Sequence, residues 1–100
     1  MAPTVEQLFD LSGRVALVTG GAGFLGQAIC AALAEAGAQV IVGSRDVERG
    51  KLAAAALPHP DRNHSAVALD HKDQASVLTG FTSAVEQAGQ VDILINNGQG

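Results

Sequence analysis

The stretch Val15-Ala16-Leu17-Val18-Thr19-Gly20-Gly21-Ala22-Gly23-Phe24-Leu25-Gly26 decides the fold. Its opening run is continuously apolar and carries two valines, the pattern of a strand buried on both faces of a parallel sheet. Glycines crowd the positions that follow, and beyond them the apolar spacing becomes helical. Strand, glycine-rich turn and helix in that order open a β-α-β unit. Within the turn, Gly21-x-Gly23-x-x-Gly26 has the spacing of a dinucleotide-binding loop. Glycine lets the chain turn sharply, lets bare backbone approach a pyrophosphate, and lets the helix lie close to the strand. The helix start adds unpaired N–H groups and a partial positive charge, which suit phosphate. A tight turn without a ligand is the alternative reading of the same residues. No Gly-Lys-Ser/Thr follows, which excludes a P-loop.

The same alternation continues outward. Val40-Ile41-Val42, Ala66-Val67-Ala68-Leu69 and Ile93-Leu94-Ile95 are further short apolar runs. Between them, Gly23 to Ala36 sets Leu25, Ile29, Ala32, Leu33 and Ala36 along one side and stops at Gly37. Asp46 to Leu57 is Ala-rich and is closed by Pro58-His59-Pro60. Asp73 to Ala88 sets Val77, Leu78, Phe81 and Val85 on one face before Gly89. A β-α-β-α-β-α-β order needs right-handed crossovers between parallel strands. The expected fold class is therefore α/β, a Rossmann-type doubly wound parallel sheet. A complete sheet of this type has six strands. Residues 1–100 are accordingly read as the N-terminal part of a single dinucleotide-binding domain.

Composition narrows the function classes. The 100 residues include six Lys+Arg against ten Asp+Glu, a formal charge of −4, so no basic patch points to nucleic acid or an acidic membrane. No window approaches the roughly 18 apolar residues of a membrane span. Residues 1–10 carry Glu6 and Asp10 and lack the basic-then-apolar order of a secretory signal. A single cysteine, Cys30, excludes an intrachain disulfide framework and a Cys-rich zinc site. Its place inside the first helix reads as a small buried hydrophobe. The expectation is a reduced, cytoplasmic setting without a metal. Eighteen of the apolar residues are Ala, side chains small enough for helices to pack closely on strands.

The end of the second strand selects the nucleotide. An acid there accepts hydrogen bonds from a ribose 2′-OH, whereas an arginine suits a 2′-phosphate. The chain has Ser44-Arg45, with Asp46 just beyond. Ser44 can hydrogen-bond a phosphate; Arg45 can pair with it bidentately and stack on adenine. NADP is thus preferred over NAD. The alternative makes Arg45 a solvated helix-start residue paired with Asp46 or Glu48.

With the Thr19-Gly20 turn, Ser44-Arg45, Leu69-Asp70 and Asn96-Asn97 in order, the chain resembles the short-chain dehydrogenase/reductase family over about residues 8 to 98. The lead-in from Phe9 to Gly20 is typical of it. The resemblance implies that Gly20, Gly23 and Gly26 are the cofactor-loop glycines, with Ala22 and Phe24 between them. It places Leu25 near the pyrophosphate and nicotinamide. It makes Asp70 the acceptor for the adenine amino group and brings His71 backbone nearby. Asn97 with Gly98 would lie along the cofactor ribose. For Asp70 a helix cap near Asp73 is the alternative; for Asn96-Asn97 it is a polar turn bonding its own backbone.

Two positions depart from the compact branch of that family. Phe24 stands where that branch has glycine, so Thr19-Gly20-x-x-Gly23-x-x-Gly26 follows the extended branch, and Gly98-Gln99 replaces Ala-Gly. Asn96-Asn97 and the lack of an acid ending the second strand favour the compact branch. The family implies an alcohol/carbonyl oxidoreductase, homo-oligomeric when complete, with a small-molecule substrate. It uses a Tyr as acid/base, with a nearby Lys lowering its pKa and a Ser polarising the carbonyl. The chain contains no Tyr, so no catalytic residue is assigned to it, His59, His64 and His71 included, and the chain alone is expected to be inactive. The alternatives are an extended-branch sugar-nucleotide epimerase or dehydratase, and a non-catalytic nucleotide-binding fragment.

Overall fold

The computed structural model describes residues 10–97. Four strands, β1 (Val15–Thr19), β2 (Gln39–Ser44), β3 (Ser65–Ala68) and β4 (Ile93–Asn96), form one sheet in the order β3-β2-β1-β4. Every pairing is parallel, with Leu17 opposite Ile41 on one side and Leu94 on the other. Three helices make the crossovers: α1 (Phe24–Glu35), α2 (Val47–Ala55) and α3 (Gln74–Ala88). A single 3-10 turn, Pro60–Arg62, precedes β3. The expected α/β doubly wound parallel arrangement is present, with each strand extended by one to three residues beyond its apolar run or shifted by one.

The core divides into two layers, one on each face of the sheet. Val18, Val40 and Val42 pack with Cys30 and Ala34 of α1 and Ala54 of α2. On the opposite face, Leu17, Ile41, Val67 and Leu69 pack with Ala84 of α3. Alternating strand residues thus serve opposite layers, as the period-two geometry of a strand requires.

Each helix meets the sheet through small residues one turn apart. The buried positions are Gly26, Cys30 and Ala34 in α1, Gly50 and Ala54 in α2, and Gly80 and Ala84 in α3. This corrects the larger apolar stripes expected for α1 and α3. Leu25 is 53% exposed and Leu78 68%, while Ile29, Leu33 and Val77 are half-buried on the flanks. The reason is distance: a Cβ at Gly80 would stand 2.8 Å from Leu69 Cδ1. At that approach only small residues fit the contact line, and bulky ones are displaced sideways.

Strand β4 also departs from expectation. It alternates half-buried Ile93 and Ile95 with exposed Leu94 and Asn96, because it stands at the sheet margin, paired on one side to β1. At its start, the Asp92 carboxylate accepts the Val15 N–H at 2.8 Å and fixes the beginning of β1. His64 ties β2 to the approach to β3: its Nδ1 accepts the Val40 N–H at 2.9 Å while Nε2 lies 2.9 Å from the Pro58 carbonyl. No helix among the described residues is long and apolar enough to cross a membrane.

Candidate functional site

All four strands end at one rim of the sheet, where a cleft of about 630 Å³ opens. One wall is the β1–α1 turn: Gly20, Ala22, Gly23, Phe24, Leu25 and Gly26. Gly20 has φ +66°, a conformation that favours glycine, and a Cβ there would lie 2.9 Å from the Asn97 carbonyl oxygen. Gly26 faces the Gly20 carbonyl so closely that a Cβ could not be placed between them. Gly21 is buried beneath the turn, its N–H donating to Gly43 at 3.1 Å, and does not line the cleft. The glycines that shape the cavity are therefore Gly20, Gly23 and Gly26, and Gly21 serves packing against Val42 and Cys30.

The start of α1 differs from the other two helices. Asp46 caps α2 by accepting from Glu48 and Arg49 N–H groups, and Asp73 caps α3 in the same way. At α1 the cap is Gly23, with no side chain accepting a hydrogen bond. The Gln27 side chain instead donates to the Ala22 carbonyl at 2.7 Å, which braces the turn from outside. Phe24, the first residue of the helix, is 97% exposed.

The opposite wall comes from the end of β2. Ser44 is buried, and its Oγ accepts the Asp46 N–H at 3.3 Å, which leaves its own proton free to point elsewhere. Arg45, Asp46 and Arg49 line the cleft beside it. The pairing considered for Arg45 is not formed: Asp46 caps α2, and Glu48 pairs with Lys51 at 3.4 Å. Neither Arg45 nor Arg49 takes part in an ion pair among the described residues. Asp46, Arg49 and Leu69 were not anticipated from sequence. Arg49 enters the lining because the helix α2 begins directly after Arg45 and its cap Asp46.

At the floor, Leu69 and His71 from the β3–α3 turn and Asn97 after β4 complete the lining. Asp70, between the two lining residues, is itself not among them; its carboxylate accepts the Lys72 N–H at 3.0 Å, and its N–H donates to Ser76 Oγ at 2.8 Å. Its carboxylate thus shapes the turn, and Asp73 is the helix cap. Asn97 is held by its N–H donating to Thr19 Oγ1 at 3.0 Å. Gly98 lies outside the described residues. Cys30 is buried as expected, and burial pushes its thiol pKa up to about 11.

The family model for short chain dehydrogenase matches residues 14–99. Among curated proteins, the short chain dehydrogenase/reductase dpchG of Colletotrichum higginsianum is 39% identical over 97% of this chain and 36% of its own length. Among solved structures, RhlG of Pseudomonas aeruginosa in complex with NADP superposes with a TM-score of 0.78 at 33% identity, over 92% of this chain and 37% of that one. The 3-ketoacyl-(acyl-carrier-protein) reductase of Brucella melitensis, complexed with NADH, gives 0.75 at 32% identity, over 85% and 34%. The chain spans about a third of the length of these proteins.

Proposed function

The chain belongs to the short-chain dehydrogenase family, and from that premise we propose that it carries the cofactor-binding portion of an NAD(P)(H)-dependent oxidoreductase interconverting an alcohol and a carbonyl, with NADP preferred. A bound nicotinamide would supply or accept the hydride. The residues here bind and orient. Gly20 and Gly26 keep side chains away from the turn, and the uncapped N–H groups after Gly23 face phosphate; Ser44, Arg45 and Arg49 face the adenosine end. The donor set fits: one wall offers backbone N–H groups, the other a hydroxyl and two guanidiniums.

The observation that carries the reading is the shared cleft, in which a glycine turn without side-chain caps stands opposite Arg45 and Arg49. The reading extends to a small-molecule substrate, a homo-oligomeric full-length protein and a cytoplasmic setting, which the family and the single buried cysteine support. Because the chain has no Tyr, the acid/base of hydride transfer belongs to another segment, and the 100 residues alone are expected to show no turnover.

The test is cofactor titration of the full-length protein, followed by nicotinamide fluorescence. NADPH should bind more tightly than NADH, and Arg45→Ala should weaken NADPH far more than NADH. Equal weakening of both would remove the NADP preference, and absence of binding by either would remove the reading.

A further inference from the structure

We infer that His64 is a proton-operated latch, whose release in acid frees the connector between α2 and β3 from the start of β2. The ladder joining β2 to β3 begins with Ile41 opposite Ser65, so the Val40 N–H falls one residue short of it. Val40 is fully buried, and a buried N–H demands an acceptor. The imidazole supplies it: Nδ1 accepts the Val40 N–H at 2.9 Å. On the other side of the ring, Nε2 lies 2.9 Å from the Pro58 carbonyl oxygen. A backbone N–H can only donate and a carbonyl oxygen can only accept. These two partners therefore select the neutral ring with its proton on Nε2. A second proton, on Nδ1, sets two donors against each other and leaves the Val40 N–H without its acceptor.

The segment fastened in this way is strained. His59 and Asn63, on either side of the 3-10 turn, have φ of +59° and +61°. His59 also precedes Pro60, a position that favours extended backbone. Leu57 and Ala66, which flank the connector, are buried in the core with Val40, so its ends stay anchored when the latch opens. On the connector itself, His59 and Asp61 are exposed, and Arg62 donates to Ser12 Oγ at 3.4 Å beside Asp10. From β2 come Gln39, whose side chain donates to the Asn63 carbonyl at 3.2 Å, and Val40. The end of α2 and the residues after it, Ala53 to Leu57, are uncharged, and β3 opens with Ser65. No ion pair among the described residues includes His64. The native contacts need the neutral ring. They hold at neutral and alkaline pH and are lost as pH falls through the range in which an imidazole takes up its proton.

The experiment is amide hydrogen exchange of the full-length protein at about pH 8 and about pH 5, corrected for the intrinsic pH dependence of exchange. The native sequence is compared with His64→Gln and His64→Phe. Gln offers one acceptor and one donor and does not titrate, whereas Phe offers neither. In the native protein, peptides covering residues 39–44 and 58–66 should exchange about 5- to 10-fold faster in acid. The β1 peptide, Val15–Thr19, should not change. His64→Gln should show no such acid increment, and His64→Phe should exchange at the native protein's acid rate at both pH values. Nitrogen NMR of the native imidazole at about pH 8 should place the His64 proton on Nε2, the signal being assigned by its loss in His64→Gln. A native protein that responds to acid no more than His64→Gln overturns the inference. So does a proton found on Nδ1 at the higher pH.

Discussion

The hydroxyl oxygen of Thr19 accepts the backbone N–H of Asn97 at 3.0 Å, joining the last residue of β1 to the residue after β4. The same hydroxyl lies 3.1 Å from Asn96 Oδ1, to which it can donate. Thr19 is 4% exposed, so these bonds form largely away from water. They hold the floor of the cleft against the turn that begins at Gly20, where the Asn97 carbonyl blocks any side chain.

Thr19→Val keeps the shape of the side chain and removes the hydroxyl. It leaves the Asn97 N–H without its acceptor at a half-buried position, which should lower stability by about 1–3 kcal/mol. Chemical denaturation followed by circular dichroism reads the loss. Cofactor affinity should fall as well, because the segment after β4 loses its tether; a variant of native stability would show that water replaces the bond without cost.

Gly26→Ala and Gly23→Ala should part company. At Gly26 the atoms a methyl would meet are backbone, the Gly20 carbonyl and Gly21 Cα, and neither can swing aside. The helix must shift off the turn, so the variant should lose about 1–3 kcal/mol of stability or more. At Gly23 a methyl meets only the Gly20 oxygen at 3.4 Å, and φ is −76°. That variant should fold normally and lose dinucleotide binding, since the methyl would occupy the cleft. Thermal melts together with fluorescence titration separate the two, and similar melting temperatures would refute the distinction.

Cys30 predicts a pH dependence with a defined sign. Burial raises its folded pKa from 9.0 to about 11, so the folded protein holds the thiol proton more tightly than the unfolded chain. The resulting contribution is fully present below about pH 9 and is lost as pH rises through 11. Stability measured between these limits should decline, and Cys30→Ala should flatten that part of the decline. An identical slope in the variant would assign it to other groups.

Much of the arrangement was legible because period and punctuation agreed. β-Branched runs and the glycine turn lie where the strands and α1 begin, while Gly37 and Pro58 follow the last helical residues, Glu35 and Ala55, by two and three positions. Which helix face is buried was not legible. Apolarity marks Leu25 and Phe81, whereas the deciding quantity is how near the helix axis comes to the sheet, and that selects Gly26, Cys30 and Ala84. The same limitation applies at the cleft. Arg45 was readable from its place after β2, but Arg49 joins it only because α2 begins at once, and Asp70 bends its carboxylate to its own turn.

The small-residue seam between α1 and the sheet couples two properties that could otherwise drift apart. Enlarging Cys30 or Ala34 would push the whole rod outward, and its leading end would retreat from the cleft it lines. The shape of that wall is therefore hostage to interior volume further along the same helix. The arginine wall stands at the end of β2 and the start of α2, and its guanidinium side chains are exposed, away from that seam. Retuning cofactor choice should succeed there by side-chain exchange alone, whereas the glycine wall should resist redesign.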